Sequence, residues 1–321
     1  MTPAPLAARL RIPSGPLFFP VTAYGPDGSV DLDVFRTHVR AGIEAGAAAV
    51  FACCGTGEFH ALTPEEYEAC VAAAVEVSAG RVPVVAGAGY GTALAVRYAK
   101  LAEGAGADGL LAMPPYLVVA GQDGLLRHYA ELAAATSLDV IVYQRDNAVF
   151  TPGAVVELAR TEGVIGFKDG LGDMDLMQRI VSAVRCEVPE DFLYFNGLPT
   201  AELTGLGYRG IGVTLYSSAV FCFAPDIALA FHRAFNAGDP KSAAGDATVN
   251  RLIDGFYRPF VELRGEGRGY AVSLVKAGVR LAGLDVGGVR TPLHDPTDDH
   301  VKRLAELTER GRELLRTGAD A

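Results

Sequence analysis

The sequence predicts an α/β protein: a (β/α)8 TIM barrel carrying a C-terminal helical extension. Three observations predict it. Eight short apolar runs recur along the chain, each is followed by a stretch with helical periodicity, and no change of composition splits the 321 residues in two. Near-continuous apolar strands are what a parallel sheet buried on both faces requires. Right-handed βα crossovers repeated eight times close most simply into a barrel. A doubly wound open sheet is the rival, and the count of eight disfavours it.

The strand-like runs are 17–22, 49–54, 83–88, 109–113, 140–143, 164–168, 192–196 and 211–215. Helical stretches lie between them. Asp31 caps 32–44. Thr63, Pro64 and Glu66 form a capping box that opens 64–79. Then come 93–103, 125–135, 152–161 behind the cap Thr151, 174–184, 200–207 and 225–236. Residues 1–237 are thus assigned to the barrel. Residues 238–321 are assigned to the extension, with helices over 243–263, 269–282 and 297–316.

Composition narrows the function. Half the residues are apolar and 21% are charged, enough for a sizeable core. The net charge is −10, with no run of Lys or Arg, so no nucleic-acid partner is expected. No apolar stretch reaches the ~18 residues of a membrane span, and no apolar run follows the N-terminal arginines as in a signal peptide. The five cysteines (Cys53, Cys54, Cys70, Cys186, Cys222) are odd in number and irregularly spaced. They give no disulfide framework and no metal-ligand spacing, and point to a reducing cytoplasm.

In a barrel of this kind the chemistry sits where the strands end. Lysine is rare: Lys100, Lys168, Lys241, Lys276 and Lys302 are all there are. Four lie in helical or loop contexts where a solvated role is the default. Lys168 instead ends the sixth apolar run and points into an apolar mouth, where desolvation lowers an amine's pKa. A fall from ~10.4 to ~7 takes roughly 4.6 kcal/mol of differential interaction. A neutral amine there attacks ketones and forms a Schiff base. The competing reading is a lysine paired with Asp169. Tyr143 ends the neighbouring fifth strand, as a proton-moving phenol or a packing residue. Gly55-Thr56-Gly57-Glu58 makes a turn whose N–H groups and hydroxyl suit a carboxylate, or an ordinary βα turn. Glu58 counts against a phosphate there. Gly87–Gly91 has the spacing G-x-G-x-G, and Asp108 precedes a strand, so a nicotinamide site is not expected. His60 reads as a surface or supporting residue.

Taken together, the turn 55–58, Tyr143, and Lys168 in Gly166-Phe167-Lys168-Asp169 resemble the dihydrodipicolinate synthase / N-acetylneuraminate lyase family of Schiff-base barrels. The similarity spans nearly the whole chain. It implies that Lys168 is the Schiff-base lysine, Tyr143 the acid/base phenol, and Gly55 and Thr56 the holders of a keto-acid carboxylate. It also implies a homotetramer. Two departures argue against the synthases themselves: Gly55 replaces a hydroxyl residue, and Leu117 stands where a neighbouring subunit donates a tyrosine. The segments 142–148, 166–173 and 216–219 resemble the family's decarboxylating sugar-diacid dehydratases most, with Gln144 where Asn is expected. That resemblance implies a keto-deoxy sugar diacid as substrate, with no metal and no organic cofactor. Ser217, Ser218 and Arg145 are assigned to the distal end of that substrate. The alternatives are a Schiff-base aldolase and a non-catalytic carboxylate-sensing barrel.

Overall fold

A computed structural model describes residues 4–11, 14–188, 191–237 and 243–317. Eight parallel strands close into a barrel in sequence order. They are β1 (Leu17–Phe18), β2 (Ala49–Ala52), β3 (Val84–Ala88), β4 (Gly109–Ala112), β5 (Asp139–Gln144), β6 (Val164–Asp169), β7 (Leu193–Asn196) and β8 (Leu215–Ser218). β8 pairs back onto β1, with Leu17 opposite Ser217. The first strand is cut short because Pro20 has no N–H to give to the ladder.

The outer layer holds α2 (Leu32–Glu44), α3 (Pro64–Ser78), α4 (Thr92–Gly104), α5 (Gln122–Ala134), α6 (Pro152–Arg160), α7 (Met174–Glu187), α8 (Gly205–Gly210) and α9 (Pro225–Ala237). Their caps are those expected. Asp31 accepts from the N–H groups of Asp33 and Val34, and the Thr63–Glu66 box is reciprocal. Thr151 caps α6 through the N–H of Ala154. Each such cap stabilises its helix by about 1 kcal/mol.

Two apolar cores result. One lies between strands and helices. The other fills the lumen, where Phe19 stacks on Phe51 with centroids 4.5 Å apart among Leu17, Val85, Leu111, Ile141 and Phe195. A short helix that the sequence did not announce, α1 (Leu6–Arg11), closes the lumen's lower end with the buried Leu6 and Leu10. Six residues are too few for periodicity to register.

The eighth strand also differs from expectation. Residues 211–214 are turn and loop, and the strand begins at Leu215. Gly212 at φ +83° makes the chain turn after α8 rather than extend. The extension contains α10 (Ala243–Leu252), a π-helical turn (Ile253–Tyr257), α11 (Arg258–Gly265), α12 (Tyr270–Leu281) and α13 (Asp298–Thr317). The single expected helix over 243–263 is therefore interrupted. Lys241 lies outside the described residues. Among the described residues no helix is long and apolar enough to cross a membrane.

Candidate active site

β5 and β6 pair with Tyr143 opposite Lys168. Alternate residues of a strand face opposite sides of the sheet. Lys168 therefore enters the lumen and Asp169 turns out toward the helices. The Lys168 Nζ sits 4.1 Å from the Tyr143 ring centroid and 5.1 Å from that of Phe19, and the residue is 4% exposed. The pairing with Asp169 is not formed. That carboxylate accepts from Gln144 Nε2 (2.9 Å), from the N–H groups of Leu171 and Gly172, and from the Tyr208 hydroxyl. Among the described residues no ion pair reaches Lys168. Burial holds its pKa below the usual lysine range, while Tyr143 and Cys54 nearby pull the other way. Gly197 leaves room for the amine, since a Cβ there would lie 2.7 Å from Lys168 Cγ and 3.0 Å from Nζ.

The Tyr143 hydroxyl donates to the Gly197 carbonyl at 3.1 Å, and Arg145 Nη1 approaches that hydroxyl at 3.4 Å. These residues open on a cavity of about 270 Å³ at the C-terminal ends of the strands, shared with Gly55, Thr56 and Ser217. Six of the seven expected site residues thus converge. His60, Met113 and Leu198–Pro199 also line the cavity, and the start of α12 with Leu293 closes its far side. His60 is exposed, as the sequence reading has it, and stands on the cavity wall. No local pattern marks residues 269–293 as part of the site; only tertiary return of the chain brings them there. Among the described residues the lining holds Lys168, Arg145 and His60 but no Asp or Glu, in a chain of net charge −10. A larger cavity of about 480 Å³ opens at the opposite end beside Arg11, Arg185 and Tyr194. It has no lysine, and barrel chemistry sits at the other end.

Ser218 is the exception. It is fully buried, and its hydroxyl donates to Glu202 Oε1 at 2.5 Å, away from the cavity. Adjacent strand residues cannot both face the lumen, and Ser217 takes the inner position. Glu58 is also turned away from the cradle, into an ion pair with Lys276 at 3.1 Å, both side chains 0% exposed. Lys276 is therefore not solvated as expected. The glycines 87 and 89 serve close packing, since a Cβ at Gly87 would meet the Cys53 carbonyl at 2.3 Å.

Burial lifts the Glu202 carboxyl to about 7, with the Ser218 hydrogen bond opposing. A folded-state pKa raised from 4.5 keeps its full contribution below about 4.5 and loses it as pH rises through about 7. Glu202→Gln should therefore gain stability relative to the wild type across that window, by about 3 kcal/mol at its upper end. Denaturant titrations of both proteins at pH 5 and pH 8 check this. A difference that does not change with pH contradicts it.

Residues 13–310 match the model of the dihydrodipicolinate synthetase family. The chain belongs to that family. A Streptomyces avermitilis relative named "Probable 5-dehydro-4-deoxyglucarate dehydratase 1" is 81% identical, covering 99% of this chain and 100% of the relative. One of the same name from Streptomyces coelicolor is 78% identical, covering 99% of each. A Rhizobium rhizogenes protein named "Probable 5-dehydro-4-deoxyglucarate dehydratase" is 44% identical, over 95% of this chain and 98% of its own. Among solved structures of family members, dihydrodipicolinate synthase from Bacillus clausii superposes with a TM-score of 0.85 at 24% identity, covering 96% of this chain and 100% of that one. That likeness speaks to the fold alone.

Proposed function

We propose that this family member is a decarboxylating dehydratase that converts 5-dehydro-4-deoxy-D-glucarate to 2,5-dioxopentanoate, CO2 and water through a Schiff base on Lys168. The observation that carries the reading is the charge of the cavity. Among the described residues Lys168, Arg145 and His60 line the wall, no carboxylate does, and Arg145 is also paired with Asp146 from outside it at 3.2 Å. A dianionic keto acid is what such a wall attracts.

The chemistry balances on one lysine. The neutral amine of Lys168 adds to the ketone and water leaves, giving an iminium. The iminium acidifies the adjacent methylene, and loss of its proton gives an enamine. The enamine expels the β-hydroxyl as water and becomes a conjugated iminium. The bond to the distal carboxylate breaks, its electrons enter this sink, and CO2 departs. The enol left behind becomes an aldehyde on protonation, and hydrolysis returns the ketone and the free amine. The Tyr143 hydroxyl moves the protons, from its place beside the amine. Thr56 and the backbone of Gly55 hold the carboxylate next to the imine. Arg145 and Ser217 meet the distal carboxylate.

The test is an assay of candidate keto-deoxy acids by CO2 release and product mass. The expected result is one CO2 per substrate and a five-carbon dioxo acid. Pyruvate without CO2 would instead identify the Schiff-base aldolase. Binding without turnover of any keto acid would identify the sensing barrel.

The assembly we infer is a homotetramer. Tyr116, Leu117, Val118 and Val119 form a run 57–84% exposed, with Leu117 at φ +66°. An apolar run so open is covered by a second copy. We assign the protein to the cytoplasm, because the described cysteines are free thiols.

A further inference from the structure

We propose that Glu58 and Lys276 are positioning residues that set the Gly55–Thr56 cradle against the opposite wall of the cavity. The inference rests on the reading of that turn as a carboxylate holder. Glu58 closes the turn, its N–H donating to the Gly55 carbonyl, and is fixed in the left-handed region at φ +54°. Its carboxylate is completely buried and has partners on both oxygens. Oε1 meets Lys276 Nζ at 3.1 Å, and Oε2 accepts the N–H of Arg290 at 2.9 Å. Both partners come from the C-terminal extension, more than 200 residues away in sequence.

The same elements build the far wall. Lys276 lies in α12, whose first residues Ala271 and Val272 line the cavity, and Leu293 follows Arg290 by three residues. The connection is doubled. Arg290 grips Glu66 at the head of α3 with two bonds, of 2.5 and 2.7 Å, and donates to the Ala61 carbonyl. The Tyr24 ring packs against both cations, 4.0 Å from Lys276 and 4.3 Å from Arg290. From the other side, Thr22 donates its hydroxyl to the Gly57 carbonyl at 2.7 Å.

A buried ion pair is a poor source of stability, because desolvation cancels most of its attraction. It is a good source of direction, because its geometry is narrow. Binding a keto acid requires the cradle and Lys168 to stand at a fixed separation, and a displacement of about 1 Å at such a site costs orders of magnitude. The pair therefore acts on recognition of the carboxylate, through Gly55 and Thr56, and leaves the amine itself untouched.

The test compares reductive trapping of Lys168 by borohydride with pyruvate and with acetone, which has the ketone but no carboxylate. The variant is the double substitution Glu58→Met/Lys276→Met, which removes both charges at similar volume. The expected result is a folded protein whose pyruvate-over-acetone preference falls at least tenfold, with the acetone rate within twofold of wild type. An unchanged preference in the folded variant overturns the inference. Should the double variant not fold, Glu58→Gln serves in its place: a preference reduced at least threefold supports the inference, and full retention overturns it. A wild type that does not prefer pyruvate overturns the cradle reading itself, a separate failure that the variants are not needed to see.

Discussion

Replacing Lys168 by alanine is expected to reduce turnover to the uncatalysed background while leaving the barrel folded. Two features separate these outcomes. The amine makes no ion pair among the described residues, so no partner is orphaned by its loss. Its pKa is depressed by burial, so at neutral pH the folded state opposes a charge that the unfolded chain carries freely. That opposition is present below the folded pKa and disappears only above the unfolded value of ~10.4. Alanine removes it, and the truncated side chain leaves space continuous with an existing cavity rather than a sealed void. The melting temperature at pH 7 should be equal to or above that of wild type. Thermal unfolding and a CO2-release assay on the same sample check both halves. Activity near wild type contradicts the role; a collapse of the fold contradicts the energetics.

Tyr143→Phe should lower kcat by ~10²-fold, the usual weight of a positioned proton-transfer group. The substitution removes one atom. The ring that lies 4.1 Å from Lys168 Nζ remains, so packing around the amine is retained. What is lost is the hydroxyl held at 3.1 Å from the Gly197 carbonyl and approached by Arg145. An unfilled acceptor at Gly197 costs about 1–3 kcal/mol of stability, small beside the kinetic effect. Steady-state kinetics with a single-turnover measurement distinguish slowed proton transfer from weakened binding. An unchanged kcat would reduce Tyr143 to a packing residue.

How much of this was legible in the chain follows from the range of each interaction. The apolar runs and caps are local, so eight βα units and most helix starts could be read directly. Ser217 and Ser218 are adjacent and both carry hydroxyls, but strand alternation admits only one of them to the lumen; the same alternation separates Lys168 from Asp169. The eighth strand begins later than its apolar pattern suggests: Ile211 and Val213 look strand-like, while Gly212 between them adopts a positive φ. Other features have no local sign. The Glu58–Lys276 pair joins residues 218 positions apart, and Lys276 sits in a helix whose pattern is equally consistent with an exposed lysine. The wall made by α12 is invisible for the same reason. The interruption at Ile253–Tyr257 is a change of hydrogen-bond pitch inside an otherwise helical pattern, and periodicity does not resolve it.

The charge pattern ties the site to its substrate class. In an acidic protein of net charge −10, the Lys, Arg and His side chains of one chamber's lining face no Asp or Glu in that lining among the described residues. Of its acidic neighbours, Asp169 faces outward, Glu58 is paired with Lys276, and Glu202 is pushed toward its neutral form by burial. Among the described residues no carboxylate side chain lines the wall itself, and Asp146 meets Arg145 from outside it at 3.2 Å.

The central claim is that the amine of Lys168 is the group that captures the ketone, and peptide mapping after borohydride reduction in the presence of a 2-keto acid tests it most directly. The account predicts one reduced adduct per chain, on Lys168, forming more readily as pH rises toward the depressed pKa of that amine. An adduct on Lys276 or any other lysine, or none at all on a folded protein, would contradict it.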